Sequence, residues 1–351
     1  MQTERIEERW IAAFVRVFQL CEVAAGEICA ILSETRSRPV IAQLAELALL
    51  RLGARPFHVA IVSPVQTVPS SARSNGGADA ARLPQPVMDA LAACGFVADC
   101  TVKGLLHTAE LPAILQGGAR VLTISGEHPD ALARLVPDPV METAVREGTE
   151  LLKNTRRMQV TSDAGTQLVV TLAGARAAGD WGFATRPGTV AHWPGGSCLC
   201  FPAKATINGL LVLAPGDVNL TFRRHIESKV TMLIQNDFVT DISGHNLDAS
   251  LMRRHVAALG DRGACAVSHV GWGMNPAASR DSMALHDPRD FNGTELRAVA
   301  GNFLCSAGPA EASGSPAPGQ VDLPLAGCTV ALDDHVVVED GMLQLGRTRQ
   351  D

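Results

Sequence analysis

The feature that most limits the fold is the regular exchange of amphipathic helical stretches and short apolar runs over the first 155 residues. Residues 6–23 carry Trp10, Ile11, Phe14, Val15, Val17, Phe18 and Leu20 at helical spacing and leave Glu7, Glu8, Arg9 and Arg16 for a polar face. A strand-like run at 27–32 follows, then a helix that Pro39 opens and Gly53 closes, then a second apolar run at 57–62. The pattern repeats with a helix over 86–94, a strand over 96–100, a helix over 109–116, a strand over 120–124 and helices from 130 to 153. Strands separated by helices pair in parallel and are covered on both faces by their crossovers, so residues 1–155 are expected to form a Rossmann-like parallel-sheet domain.

Near Arg156 the period falls from 3.6 to 2. Residues 158–160 and 167–172 alternate around Ser162-Asp163-Ala164-Gly165, a hairpin signal, and short strands are expected at 210–213, 218–222, 229–234, 238–242 and 329–338. Helices are expected at 247–259 and 294–303. The fold class is therefore read as α/β, with a mostly β (α+β) domain over 156–351 that carries the site. Residues 63–82 and 310–319, rich in Ser, Gly and Pro, read as loops. A length of 351 residues suits two domains.

Composition excludes several functions. A net charge of -6 leaves no basic footprint for nucleic acid. There is no apolar run long enough for a membrane span, and the chain opens on charged residues, so no membrane partner and a cytoplasmic location are expected. Nine cysteines are scattered without a C-x-x-C pair, which fits reduced thiols, and Cys198-Leu199-Cys200 reads as one face of a strand. Neither GxGxxG nor GxxxxGK[ST] follows a strand, so no nucleotide is implied. Tyrosine is absent, and proton transfer must come from His, Asp, Glu, Ser or water.

Four of the ten histidines lie beside glycine, proline or loop signals: His107, His192, His269 and His286. The run Cys265-Ala266-Val267 is expected to deliver His269 into a turn at Gly271 and Gly273. Local pattern leaves His269 open between a hydrogen-bonded core histidine and a metal ligand. No spacing links it to His286 or to Asp322, and residue reading ends at a candidate metal site.

At Leu105-Leu106-His107, His192-Trp193-Pro194, Ser268-His269-Val270-Gly271-Trp272-Gly273, Leu285-His286-Asp287, Gly301-Asn302-Phe303-Leu304 and Asp322-Leu323-Pro324-Leu325, the chain resembles the 2,5-dihydroxypyridine 5,6-dioxygenases. These are non-haem Fe(II) ring-cleaving enzymes, similar in fold to aminopeptidases of the T type. The resemblance runs from about Leu91 to Asp334 and implies a ring-opening dioxygenase acting with O2 on a small hydroxylated aromatic or N-heterocycle, in a homo-oligomer. It assigns the metal to His269 and Asp322. The position that holds the family's second histidine ligand is Gln320 here, a neutral and weaker donor. It assigns acid/base and orienting roles to His107 and His192, and substrate contacts to Asp180, Arg297 and Ser306. Gln320 keeps open an alternative, a diverged homologue with hydrolytic or metal-independent chemistry.

Overall fold

The computed structural model describes residues 5–64, 83–106, 108–287, 290–308 and 321–345. Most of the two expected loops, at 65–82 and 309–320, lies outside the described residues.

The parallel sheet is present, with the order Arg55–Ile61, Ile28–Glu34, Phe96–Asp99, Arg120–Ile124 and Val190–Trp193. Its central strands are buried on both faces, as crossover connections require. Cys29, Ile31, Phe96 and Leu122 pack under the helices Glu8–Leu20 and Pro39–Arg51, whereas Ala30, Leu32, Val97 and Val121 face Leu91, Leu111 and Ile114. The fifth strand comes from far along the chain. Val190–Trp193 pairs in parallel with Arg120–Ile124 and sets Thr123 opposite His192.

Two large antiparallel sheets follow, beside a two-stranded pair of Val218–Asn219 with Arg224–His225. One has eight strands, in the order Phe238–Ser243, Val230–Gln235, Ile207–Leu213, Gln167–Thr171, Arg157–Ser162, Cys328–Leu332, His335–Glu339 and Met342–Leu343. The other has five, in the order Val321–Leu325, Phe303–Ala307, Val267–Gly273, Ser197–Phe201 and Arg176–Asp180. They share one core, where Met158, Val160, Leu168 and Leu211 meet Cys198, Cys200, Val270, Trp272, Phe303 and Cys305. Because successive strand residues point to opposite faces, the alternate residues of the five-stranded sheet all face away from that core. Those residues form the site.

Four expectations need correction. The helix expected over 294–303 ends at Ala298, and Phe303–Ala307 is a strand. The backbone leaves the helical region at Val299 (ψ 123°), and Gly301 follows at φ 88°, where a Cβ would lie 2.1 Å from the Gly341 carbonyl oxygen. The run at 329–338 is two strands turning at Asp333, and the strand expected over 218–222 covers only Val218–Asn219. His269 does not enter a turn, since Val267–Gly273 is one continuous buried strand. At Gly271 a Cβ would lie 2.1 Å from the Cys198 carbonyl oxygen, so glycine there serves close strand packing.

Candidate active site

The outward face of the five-stranded sheet is the floor of a cavity of about 260 Å³. Its register lines up five side chains across five strands. Arg176 pairs with Phe201, whose ring lies 5.5 Å from that of His269; His269 pairs with Ser306, and Ser306 with Asp322. The next row is Ala178, Leu199, Gly271, Leu304 and Pro324, an apolar platform beside the polar one. The edge strand of the parallel sheet forms the opposite wall, through Val190, Ala191, His192 and Pro194. Lys103 and Leu106 enter from the loop after Phe96–Asp99, and Thr294 and Arg297 from the helix Thr294–Ala298. The cavity thus lies outside the carboxyl ends of parallel strands, where α/β sheets commonly bind ligands.

A β-bulge sets the orientation of His269. Val267 opposes Ala307 and His269 opposes Ser306, so Ser268 is an extra residue in its strand. The bulge brings Ser268 Oγ to 3.1 Å from His269 Nδ1, a contact that strict alternation forbids between neighbours. The Ser268 hydroxyl also lies 3.1 Å from the Ser306 carbonyl oxygen, which can only accept. Its single hydrogen satisfies that carbonyl, so Nδ1–H of His269 donates to Ser268 Oγ. This tautomer leaves the lone pair on Nε2.

Asp322 is buried and doubly engaged: Ser306 Oγ donates to Oδ1, and Arg297 Nη2 pairs with Oδ2. Arg297 Nε is buried without a hydrogen-bond partner among the described residues. The helix that carries Arg297 is clamped from the parallel-sheet side. Glu127 accepts from the backbone N–H groups of Asn292 at 2.7 Å, Gly293 at 2.8 Å and Thr294 at 3.0 Å. Burial pushes the Glu127 carboxyl up and Glu295 adds to that, while the N–H donors pull it down. Arg134 grips Glu295 with both carboxylate oxygens, at 2.7 and 2.9 Å.

Where the floor meets the opposite wall, Asp180, the last residue of the strand Arg176–Asp180, accepts at Oδ1 from the backbone N–H groups of His192 and Gly182, both at 3.2 Å, and its Oδ2 lies 3.9 Å from His192 Nδ1. Burial outweighs those donors and pushes the Asp180 carboxyl up to about 7, although 21% of its side chain stays accessible. The loop bearing Lys103 and Leu106 is shaped by buried Asp99, which accepts from Thr101, from the Leu105 N–H and from Thr123.

Of the residues singled out from sequence, Asp180, His192, His269, Arg297, Ser306 and Asp322 line this one cavity. His107 and Gln320 lie outside the described residues. Among the described residues no group of three or more His, Cys, Asp or Glu is placed to hold a metal ion. His269 and Asp322 nonetheless present an imidazole nitrogen and a carboxylate on one sheet face, donors that suit a divalent transition metal. Lys103, Arg176, Phe201 and Glu127 were not singled out. The alternation around Cys198-Leu199-Cys200 could have signalled Phe201, since residues flanking a buried face point outward; nothing local marks Glu127.

The chain is similar to known proteins over nearly its whole length. A family model described as 2,5-dihydroxypyridine 5,6-dioxygenase matches residues 9–345. The 2,5-dihydroxypyridine 5,6-dioxygenase of Pseudomonas putida is 35% identical over 254 residues, covering 72% of this chain and 71% of the relative. The solved structure of 2,5-dihydroxypyridine dioxygenase from Pseudomonas putida superposes with a TM-score of 0.89 at 31% identity, over 95% of this chain and 96% of that one. AmpT from Thermus thermophilus shares the fold alone, with a TM-score of 0.61 at 13% identity over 96% of this chain and 99% of that one. On a family match that spans nearly the whole chain, this protein belongs to the 2,5-dihydroxypyridine 5,6-dioxygenase family.

Proposed function

We propose that the protein is a ring-opening dioxygenase acting on a small hydroxylated N-heterocycle of the 2,5-dihydroxypyridine type. The observation that carries this reading is the row His269–Ser306–Asp322 on the floor of a cavity whose opposite wall presents His192, with Asp180 at the edge of the floor beside it. In this reading Fe(II) is held by His269 Nε2 and Asp322, with Gln320 in the third position of the family motif. When bound there, iron would supply open coordination positions for substrate and O2 and a path for electrons from the ring to O2.

The chain's own residues do the rest. The apolar row through Leu199, Leu304 and Pro324 supports a flat ring and excludes water from it. Ser306 and Arg297 hold Asp322 in one orientation, and the buried Nε–H of Arg297 is a donor for a ring oxygen. His107 takes the proton of a ring hydroxyl. Asp180, whose carboxyl burial pushes up to about 7, and its neighbour His192 return a proton to the oxygenated ring. Both atoms of O2 enter the product, so no external reductant is consumed. All nine cysteines are free thiols, eight of them buried, which supports a reducing, cytoplasmic setting. The homo-oligomer expected from the family belongs to the same proposal.

The test is anaerobic loading with Fe(II), addition of 2,5-dihydroxypyridine, then a pulse of labelled O2. Expected are loss of the ring absorbance, uptake of one O2 per ring, and both labels in the opened product. Gln320 favours a second reading, a non-oxidative reaction on a related ring or amide. Ring consumption without O2 uptake would establish that reading and overturn the first.

A further inference from the structure

Two buried hydroxyls and one amide form a closed triangle at the cavity wall. Asn292 Nδ2 donates to Ser125 Oγ at 2.8 Å and to Thr294 Oγ1 at 3.1 Å, and the two hydroxyl oxygens lie 2.9 Å apart. A count of hydrogens fixes the amide orientation. Were its oxygen turned toward the hydroxyls, two hydrogens would have to serve three contacts. With the nitrogen there, the amide brings two hydrogens and each hydroxyl one, so a hydroxyl hydrogen is left over. Among the described residues neither hydroxyl has a further partner to take it.

Position decides which hydroxyl keeps the spare hydrogen. Thr294 lines the cavity, whereas Ser125 and Asn292 stand behind it. A hydrogen turned outward from buried Ser125 would meet no acceptor, which is costly. Ser125 O–H therefore points to Thr294 Oγ1 and leaves Thr294 O–H for the cavity. The backbone under this donor is fixed, since the Thr294 N–H donates to Glu127 at 3.0 Å and the Ser125 N–H donates at 2.9 Å to the carbonyl of Trp193, the neighbour of His192. Arg297 comes three residues after Thr294 in the same helix, on the same face, and its buried Nε has no hydrogen-bond partner among the described residues. Two donors thus stand one helical turn apart, in place before a ligand arrives.

We infer that Thr294 is a specificity residue whose hydroxyl donates to an oxygen of the ring substrate, beside the Nε–H of Arg297. The inference rests on the ring-opening reading for the presence of an oxygenated ring, and it adds a contact that selects that ring. A ring without this oxygen would leave both hydrogens without an acceptor, the arrangement by which a polar site rejects a less oxygenated analogue.

The test is anaerobic calorimetric titration of 2,5-dihydroxypyridine into the full-length protein supplied with Fe(II), alongside urea unfolding of each variant. Thr294→Val keeps the shape without the hydroxyl and should weaken ring binding about five- to tenfold, while Thr294→Ser, which keeps the hydroxyl, should stay within about threefold of wild type. Ser125→Ala breaks the triangle from behind the cavity; it should lower the urea midpoint as Thr294→Val does, yet leave ring affinity within about twofold. Unchanged affinity in Thr294→Val, equal losses in Thr294→Val and Thr294→Ser, or a loss in Ser125→Ala as large as that in Thr294→Val overturns the inference. The expected pattern of binding without ring opening on addition of O2 would instead sink the proposed reaction and leave the Thr294 donor standing. Wild-type protein that does not bind the ring removes both.

Discussion

Asp180→Asn isolates the buried carboxyl that faces His192. The amide oxygen still accepts from the backbone N–H groups of His192 and Gly182, so the substitution removes a titration with little change of shape. Burial lifts the Asp180 carboxyl from its ordinary 3.8 to about 7. Below 3.8 both folded and unfolded chains hold the proton. Between there and 7 the unfolded chain releases a proton that the folded chain keeps, so wild-type stability falls as pH rises; above 7 the difference is constant. At about 1.4 kcal/mol per unit, wild type should lose roughly 3 kcal/mol relative to Asp180→Asn between about pH 4.5 and pH 7.5. Urea unfolding of both proteins across that range gives the difference directly. A wild-type-minus-variant stability that stays flat, or that rises with pH, refutes the assignment of a proton to Asp180 in the neutral cavity.

Two other perturbations follow from the clamps around the site. Ser268→Ala removes the acceptor that orients His269 and should weaken Fe(II) or Co(II) binding by about 10- to 100-fold in anaerobic equilibrium dialysis; unchanged metal affinity would show that the bulge does not set the tautomer. Glu127→Gln turns one carboxylate oxygen that accepts backbone N–H groups into an amide donor, and should cost about 1–3 kcal/mol in urea unfolding. Its second signature is a KM for the ring that rises more than kcat falls, because the helix bearing Arg297 is loosened. Lost stability with KM unchanged would disconnect Glu127 from the site.

Much of the frame was legible in the residues. Helical periodicity around Phe14 and Leu44, interrupted by apolar runs such as 27–32 and 57–62, announces a parallel sheet because burial on both faces leaves a distinct pattern. The motif around His269 and the position of Asp322 marked the site by resemblance. Strand assignments failed where glycine misled. Gly271 and Gly273 read as a turn, yet they let two strands approach closely, and the difference lies in the neighbouring backbone at Cys198 and Val299. The helix expected through 303 failed for a related reason, since Gly301 meets Gly341 across a distance of 40 residues.

By itself, the sequence determined which segments are helical or extended, which faces they bury, and which residue types are available for proton transfer and metal binding. Those properties depend on neighbours a few residues away, and local periodicity records them. Only the tertiary structure decided that Val190–Trp193 joins the parallel sheet and carries His192 to the cavity, and that Arg176, Phe201, His269, Ser306 and Asp322 fall in one row. Register between strands from 16 to about 70 residues apart comes from the packing of whole sheets and from a single extra residue at Ser268, and one step of slip would turn every one of these side chains into the core.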